Sequence, residues 1–536
     1  MHLRSLLVWL CVAVTPVVRL AAQTNVLTYH NDRSRTGQNL AETLLTPANV
    51  NSTMFGKLFL TTLDGVVDAQ PLYVGGLSIP NQGTHNVLIV ATEGDSLYAL
   101  DADSGATLWH TSLLKTGEMP SDNRGCSQVT PVIGITSTPV ITLTTAGGLI
   151  YAVAMSKDAS SNYHQRLHAL SLTTGREVLG GPVDIQAKFP GTGETSSGGF
   201  VFFKPGQYKE RSGLLLLNGQ IYLGWASHCD FQPYTAWIMA YNATTLAQTA
   251  VLNVTPNGSE GAIWGAGGGF AADSSSNIYF LDANGTFDTT LNAQGFPANG
   301  NFGNAFIKLA LGSGQITVAD YFTMSNTVAE SDSDTDLGSG GALLLPDMKD
   351  ANGKVRHLAI GAGKDTNIYL VDRDNMGKFN PQSNDMYQEL TGALAGGIWS
   401  MPAYYNGSVY FGAVNNSIQA FKFNQALLVA TPASKTSHVF PYPGATPSIS
   451  ANGGTNGILW AVESASLAVL HAYSAGNLAT ELYNSNQAAN GRDKFGAGNK
   501  FMTPTIANGK VYVGTPTGIA AFGLLTAGPG TSTAPH

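Results

Sequence analysis

The chain has 536 residues, of which only 12% are charged, and 27 Lys and Arg set against 35 Asp and Glu leave a net charge of −8. With no long basic run, that balance gives a phosphate backbone little to hold, so nucleic acid is excluded as a partner. The 62 glycines suit a turn-rich, mostly β protein.

The first 22 residues read as a secretory signal. Arg4 precedes an apolar core from Leu6 to Val18, and Leu20-Ala21-Ala22 offers a cleavage site. The alternative, an uncleaved anchor, meets the difficulty that the apolar run is shorter than the ~20 residues of a spanning helix. No later stretch has the pattern to cross a bilayer, so the mature chain is expected to be secreted or periplasmic, with no transmembrane segment. Cys11 would leave with the signal, and the sequence leaves open whether Cys126 and Cys229 pair.

An N-terminal extension, residues 23–54, is polar, with a helical-looking piece from Leu40 to Leu45 and an Asn31-Asp32-Arg33 cluster that reads as a solvated loop. Next comes a repeating unit, clearest in VLIVATEGDSLYALDADSGATLW, Val87 to Trp109. It is a β-branched run, a turn at Glu93 to Asp95, an alternating run at Ser96 to Leu100, and a second turn at Asp101 to Gly105. Seven further pairs follow, opening at Leu149, Gln220, Asn277, Arg356, Ser408, Gly457 and Lys510.

Small sheets repeated at roughly 40 to 50 residues cannot each bury two faces alone, and stacking them radially gives a β-propeller. The predicted fold is therefore all-β: an eight-bladed β-propeller of four-stranded antiparallel blades over residues 55–524. The eighth pair lacks an outer strand, and FGKLFLTTL, Phe55 to Leu63, has the pattern to supply it and close the ring. The extension is expected to lie over one face. A segment from Lys188 to Lys209 reads as an ordered excursion, Ser325 to Ser339 as an Asp- and Ser-dense insertion, and residues 525–536 as a disordered tail.

The phrase LYALDADSGATLW, echoed by LHALSLTTGRE, resembles the repeat of quinoprotein propellers, a family that includes eight-bladed alcohol dehydrogenases using pyrroloquinoline quinone (PQQ) and non-catalytic outer-membrane assembly propellers. The resemblance implies a site in the stretch from Trp225 to Gly377. Asp230, in ASHCD, stands where the family has a metal-binding carboxylate. Trp264, in GAIWGAGGG, matches the indole that forms the floor under the quinone. Asn284, in YFLDANGTFD, matches an amide ligand of the metal.

In Ser333-Asp334-Thr335-Asp336 the resemblance makes Asp334 the catalytic base and Asp336 the extra carboxylate of lanthanide-using members. Lys364, in GAGKDTNIYLVDRDNMG, matches the basic residue that hydrogen-bonds the quinone oxygens. Cys126-Ser127 is the nearest match to the family's adjacent Cys-Cys pair, which leaves Cys126 as its cofactor-facing member. The cofactors implied are PQQ with calcium or a lanthanide, and the substrate an alcohol or a sugar hydroxyl.

The chain departs from the pattern beyond the missing Cys-Cys pair and the one-methylene-shorter carboxylate at Asp230. Ser333 replaces a Trp, the family's carboxylate-binding Arg has no counterpart in QVTPVIGITS, and no Cys-x-x-Cys-His marks a covalent haem. Each residue also has a plainer explanation. Trp264 fills space between blades, Asp332, Asp334 and Asp336 form a solvated turn or a peripheral Ca²⁺ loop, Lys364 pairs with Asp365 or Asp372, and His228 is hydrogen-bonded structure.

Two other functions follow from those explanations. A cofactor-free binding or assembly propeller with a protein partner would leave Trp264, Asp334 and Lys364 apart. A carbohydrate-binding or carbohydrate-cleaving propeller would need a groove of exposed aromatics, drawn from Trp225, Tyr234, Trp237, Trp399 and Tyr404.

Overall fold

The structure, a computed structural model, describes residues 24–525 except 195 and 313. The signal segment with Cys11, and residues 526–536 of the tail, lie outside the described residues.

Eight antiparallel sheets stand in a ring, forming an eight-bladed β-propeller. Blade 1 runs Leu72–Ile79, Gly83–Thr92, Ser96–Asp101 and Thr107–Ser112 from the axis outward. The second strands of blades 2 to 7 are Leu149–Asp158, Gln220–Ala226, Ile278–Leu281, Leu358–Ala362, Ser408–Gly412 and Thr455–Glu463. Blade 8 takes Thr505–Ala507, Lys510–Thr515 and Gly518–Leu524 from the C-terminal end and its outer strand, Phe55–Thr62, from the N-terminal side. The ring closes as its sequence pattern predicted.

Interior strands are apolar on both faces because each blade is packed on both sides. In Thr455–Glu463, Ile458, Trp460 and Val462 pack toward blade 8, while Leu459 and Ala461 pack toward blade 6. Successive side chains of a strand point to opposite faces, so a continuous apolar run feeds two blade interfaces. Phenol groups tie neighbouring blades as well. The hydroxyls of Tyr151, Tyr410 and Tyr512 donate to the carbonyls of Ala243, Ala475 and Ala102 in the next blade at 2.6, 2.8 and 2.9 Å.

The N-terminal extension differs from expectation. Residues 40–45 form no helix; Asn31-Asp32-Arg33 is an irregular turn with Arg33 exposed, tethered through Asp32 and the Arg33 carbonyl. The chain from Asn25 to Asn39 passes through the axis and bonds to every blade. Asn25–Val26 pairs with the inner strand of blade 1. The carbonyls of Leu27, Arg33, Ser34, Thr36 and Gly37 then accept from Ile141, Ala272, Leu344, Tyr404 and Ile449 of blades 2, 4, 5, 6 and 7. Arg35 Nη2 reaches Leu214 O of blade 3 at 3.4 Å, and Asn39 Nδ2 reaches Ile506 O of blade 8 at 3.0 Å.

The inner strands of a propeller expose backbone groups on the axis, and this segment satisfies them. Gly37 takes φ +68° against the His30 ring, where an added Cβ would meet the ring at 2.3 Å.

The excursion between blades 2 and 3 is ordered, a hairpin of Lys188–Pro190 and Phe200–Phe202. The Asp- and Ser-dense insertion holds a short helix, Thr327–Asp332, followed by a 3₁₀ turn at Leu337–Ser339.

Candidate active site

The second strands of blades 3, 4 and 5 all finish at one end of the ring, and the residues just past their ends line a cavity of about 320 Å³. Asp230 follows Gln220–Ala226, Asn284 follows Ile278–Leu281 and Lys364 follows Leu358–Ala362. Asp334 and Asp336 come from the insertion, and Trp264 from the segment leading into blade 4. All six were predicted from the sequence. Trp264, Asp334 and Lys364, which a cofactor-free scaffold is expected to leave apart, share this cavity.

Lys364 organises the acidic side. Its ammonium contacts Asp334 Oδ1 and lies 2.7 Å from Asp336 Oδ1. It pairs with these carboxylates, and not with Asp365 or Asp372 as the plainer explanation had it. Burial favours the neutral amine, but the charges of Asp336 and Asp334 outweigh it and hold Lys364 above its ordinary value. Asp336 is 1% exposed, and burial raises its carboxyl to about 6 against the pull of Lys364.

Asp334 sits at φ +55° with its side chain 66% exposed. Asn284 Nδ2 also donates to Asp334 Oδ1, at 2.7 Å. Both acceptor contacts fall on Oδ1, which leaves Oδ2 free of them. Asn284 Oδ1 and Asp336 Oδ2 are buried without a hydrogen bond, and Asp336 Oδ1 meets only the Lys364 ammonium among the described residues. Asp230 Oδ1 is held by Ser227 Oγ and Tyr234 OH, each at 3.1 Å. As placed, Asp230, Asp334 and Asp336 are not drawn within 4.8 Å of one another.

Cys126 bonds to Cys229 across 103 residues of sequence with Cα atoms 5.6 Å apart. Cys229 lines the cavity, and Cys126, 1% exposed, sits behind it. Cys126 therefore reaches the site only through its partner.

Sequence reasoning missed the cationic wall. Lys209 and Arg211, both buried, line the cavity from the segment before the inner strand of blade 3. Among the described residues no carboxylate lies within 4.0 Å of Lys209, and burial followed by the charge of Arg211 lowers its amine to about 8. Among the described residues the one carboxylate within 4.0 Å of Arg211 is Asp68, and its guanidinium stacks over Phe501 at 4.6 Å. The signal was available in Lys209-Glu210-Arg211, three consecutive charges leading into a buried strand in a chain with few charges.

His228 is buried beside the Tyr208 backbone, and burial followed by the charge of Lys209 lowers it to about 3. The aromatic groove fails, since Trp225, Tyr234 and Trp237 are buried at 1%, 1% and 0% exposure. Of the five aromatics named for that groove, only Trp399 borders the cavity.

Neither a protein-family model nor a curated protein matches the sequence. Solved structures do match. The quinohemoprotein alcohol dehydrogenase of Pseudomonas putida HK5 superposes with a TM-score of 0.62 at 14% identity, over 96% of this chain and 82% of that one. This chain has the fold of the quinoprotein alcohol dehydrogenases. The quinohemoprotein alcohol dehydrogenase of Comamonas testosteroni gives 0.61 at 15% identity, over 96% and 83% of the two chains. A europium-containing methanol dehydrogenase gives 0.58 at 12%, over 93% and 98%. The quinoprotein-type ring thus extends over nearly the whole chain, while the identities are too low to carry chemistry with it.

Proposed function

We propose that the protein is a quinoprotein oxidoreductase of an oxidising compartment outside the cytoplasm, oxidising an alcohol or sugar hydroxyl with PQQ and a hard cation in the axial cavity. The observation that carries this reading is the meeting of six side chains from blades 3, 4 and 5 in one cavity whose lining also carries two poorly compensated cations. Lys209 and Arg211 suit the carboxylates of PQQ and stand in for the arginine missing from QVTPVIGITS. Trp264 offers a flat face for a planar ring.

Asn284 Oδ1 and Asp336 Oδ2, buried and without hydrogen bonds, are the donor type that Ca²⁺ or a lanthanide prefers, with Asp230 as a further carboxylate. When bound, the quinone would supply a two-electron acceptor and the cation a Lewis acid.

The protein's own part is to orient the hydroxyl and move its proton. Asn284 and Lys364 fix Asp334 through Oδ1, so Oδ2 is the atom placed to take the proton. Lys364 balances the charge of Asp336 and offers an ammonium to a developing oxyanion. Trp399, Tyr442 and Phe501 wall the cavity with apolar surface that limits water around the reacting groups. The Cys126–Cys229 disulfide supports an oxidising compartment.

The test is to incubate the protein with PQQ and either Ca²⁺ or La³⁺, following quinone absorbance and alcohol-dependent dye reduction. Binding with turnover is expected, and Asp334→Asn should keep the cofactor while losing turnover by about 10²-fold or more. Failure to bind PQQ with either cation would remove the reading.

A further inference from the structure

A second polar cluster lies on the same end of the ring, between blades 6 and 7 and away from the axial cavity. It joins His438, which follows the blade 6 strand Ser434–Lys435, to Glu463 at the end of Thr455–Glu463 and His471 in Val469–Ser474 of blade 7. His438 Nε2 is 3.2 Å and His471 Nε2 3.6 Å from the same oxygen, Glu463 Oε2. The ligating atoms of all three residues lie within 4.8 Å of one another.

The two imidazoles stack at 4.5 Å between centroids and 26° between planes, so their Nε2 atoms converge on the carboxylate side by side. Both Nε2 atoms are buried, and among the described residues Glu463 Oε2 is the carboxylate oxygen they face. His471 as a whole is 3% exposed.

The partners on the far side of His471 decide what the open nitrogens can do. Its Nδ1 is 2.9 Å from Glu481 Oε1 and 3.2 Å from the Tyr473 hydroxyl, so with the Nδ1 proton donated to Glu481 the ring would present the Nε2 lone pair to an ion. That lone pair then faces a carboxylate oxygen, with the second imidazole beside it. A metal ion between the two Nε2 atoms and the carboxylate would take the place of the ring protons that otherwise face Glu463. Separations of 3.2 and 3.6 Å match the edge of a tetrahedron with metal–ligand bonds of about 2.0 to 2.1 Å. A carboxylate behind the ligating imidazole is the usual outer partner of a metal-bound histidine.

We propose that His438, Glu463 and His471 bind a divalent transition-metal ion, Zn²⁺ by its taste for two imidazoles and a carboxylate, with Glu481 orienting His471. The fourth vertex is open, and the His438 side chain, 33% exposed, leaves a path from solvent. The ion ties blade 6 to blade 7. Imidazole ligands separate it from the oxygen-only set of the axial cavity, so the site does not depend on the proposed oxidoreductase activity.

The test uses the full protein stripped with EDTA. Calorimetric titration with Zn²⁺ alone and elemental analysis after desalting should give one equivalent per chain. Co²⁺ in its place should give the visible absorption of a tetrahedral ion. His438→Asn combined with Glu463→Gln should lose that equivalent, and Glu481→Gln should weaken binding by about 10- to 100-fold.

A stripped wild-type protein that takes up no Zn²⁺ would overturn the proposal and leave His471 as an imidazolium between two carboxylates. Unchanged stoichiometry in the folded double variant would overturn it as well. If that variant fails to fold, the wild-type Co²⁺ spectrum decides, and absence of tetrahedral bands counts against the site.

Discussion

Asp336 and Lys364 show how a single pairing sets both the local charge and a pH dependence. Burial raises the folded-state carboxyl from 3.8 to about 6. A group raised on folding stabilises the fold fully below its unfolded value, and that stabilisation is lost as pH rises through the folded one. Lys364, raised from 10.5, does not titrate in that window. Wild-type unfolding free energy should therefore fall between pH 4 and pH 7 relative to Asp336→Asn, by roughly 3 kcal/mol at most. Urea denaturation across that range checks it, and parallel curves for the two proteins would show that Asp336 does not titrate there.

At the scale of the element, the axial segment is the least expected part of the molecule. Arg35 is fully buried and donates to Phe270 O at 2.8 Å, to Thr28 Oγ1 at 2.8 Å and to Tyr29 O at 2.7 Å. Burial lowers its guanidinium to about 10, but it stays charged at neutral pH. Replacing it with Met would leave several carbonyls on the axis without donors. Arg35→Met should cost about 3 to 5 kcal/mol of unfolding free energy by denaturant titration. A cost near zero would mean that the segment is a passenger on a ring already stable without it.

For the whole molecule, closure is achieved twice, once by Phe55–Thr62 completing blade 8 and once by the axial segment touching every blade. The disulfide adds a third restraint, tying the chain after Glu118–Asp122 to the turn after Gln220–Ala226. Replacing both Cys126 and Cys229 with Ser should lower stability by about 2 to 4 kcal/mol, read as a lower Tm that matches reduced wild type. Equal melting of the oxidised and reduced proteins would show that the ring alone restrains these loops.

The ring was legible from Val87 to Trp109 and its echoes because strand, turn and strand are local patterns, and the blade is the smallest unit that cannot bury its faces alone. Phe55–Thr62 was legible for the same reason, as a strand pattern without a neighbour. Asp230, Trp264, Asn284, Asp334, Asp336 and Lys364 could be named from the resemblance of their local phrases to the quinoprotein pattern; Asp230, Asn284 and Lys364 follow repeated strands, while Trp264, Asp334 and Asp336 lie in connecting segments.

Other features depended on distance across the fold. Lys209 and Arg211 became cavity cations only when burial removed their counterions. Cys126 met Cys229, and His438 met Glu463 and His471, only when blades stacked. The path of residues 25–39 along the axis was decided by backbone groups of eight inner strands, none of which is near it in sequence. Local pattern thus determined the architecture, and tertiary packing decided the charges and pairings, because electrostatic partners are set by proximity in space and by loss of water.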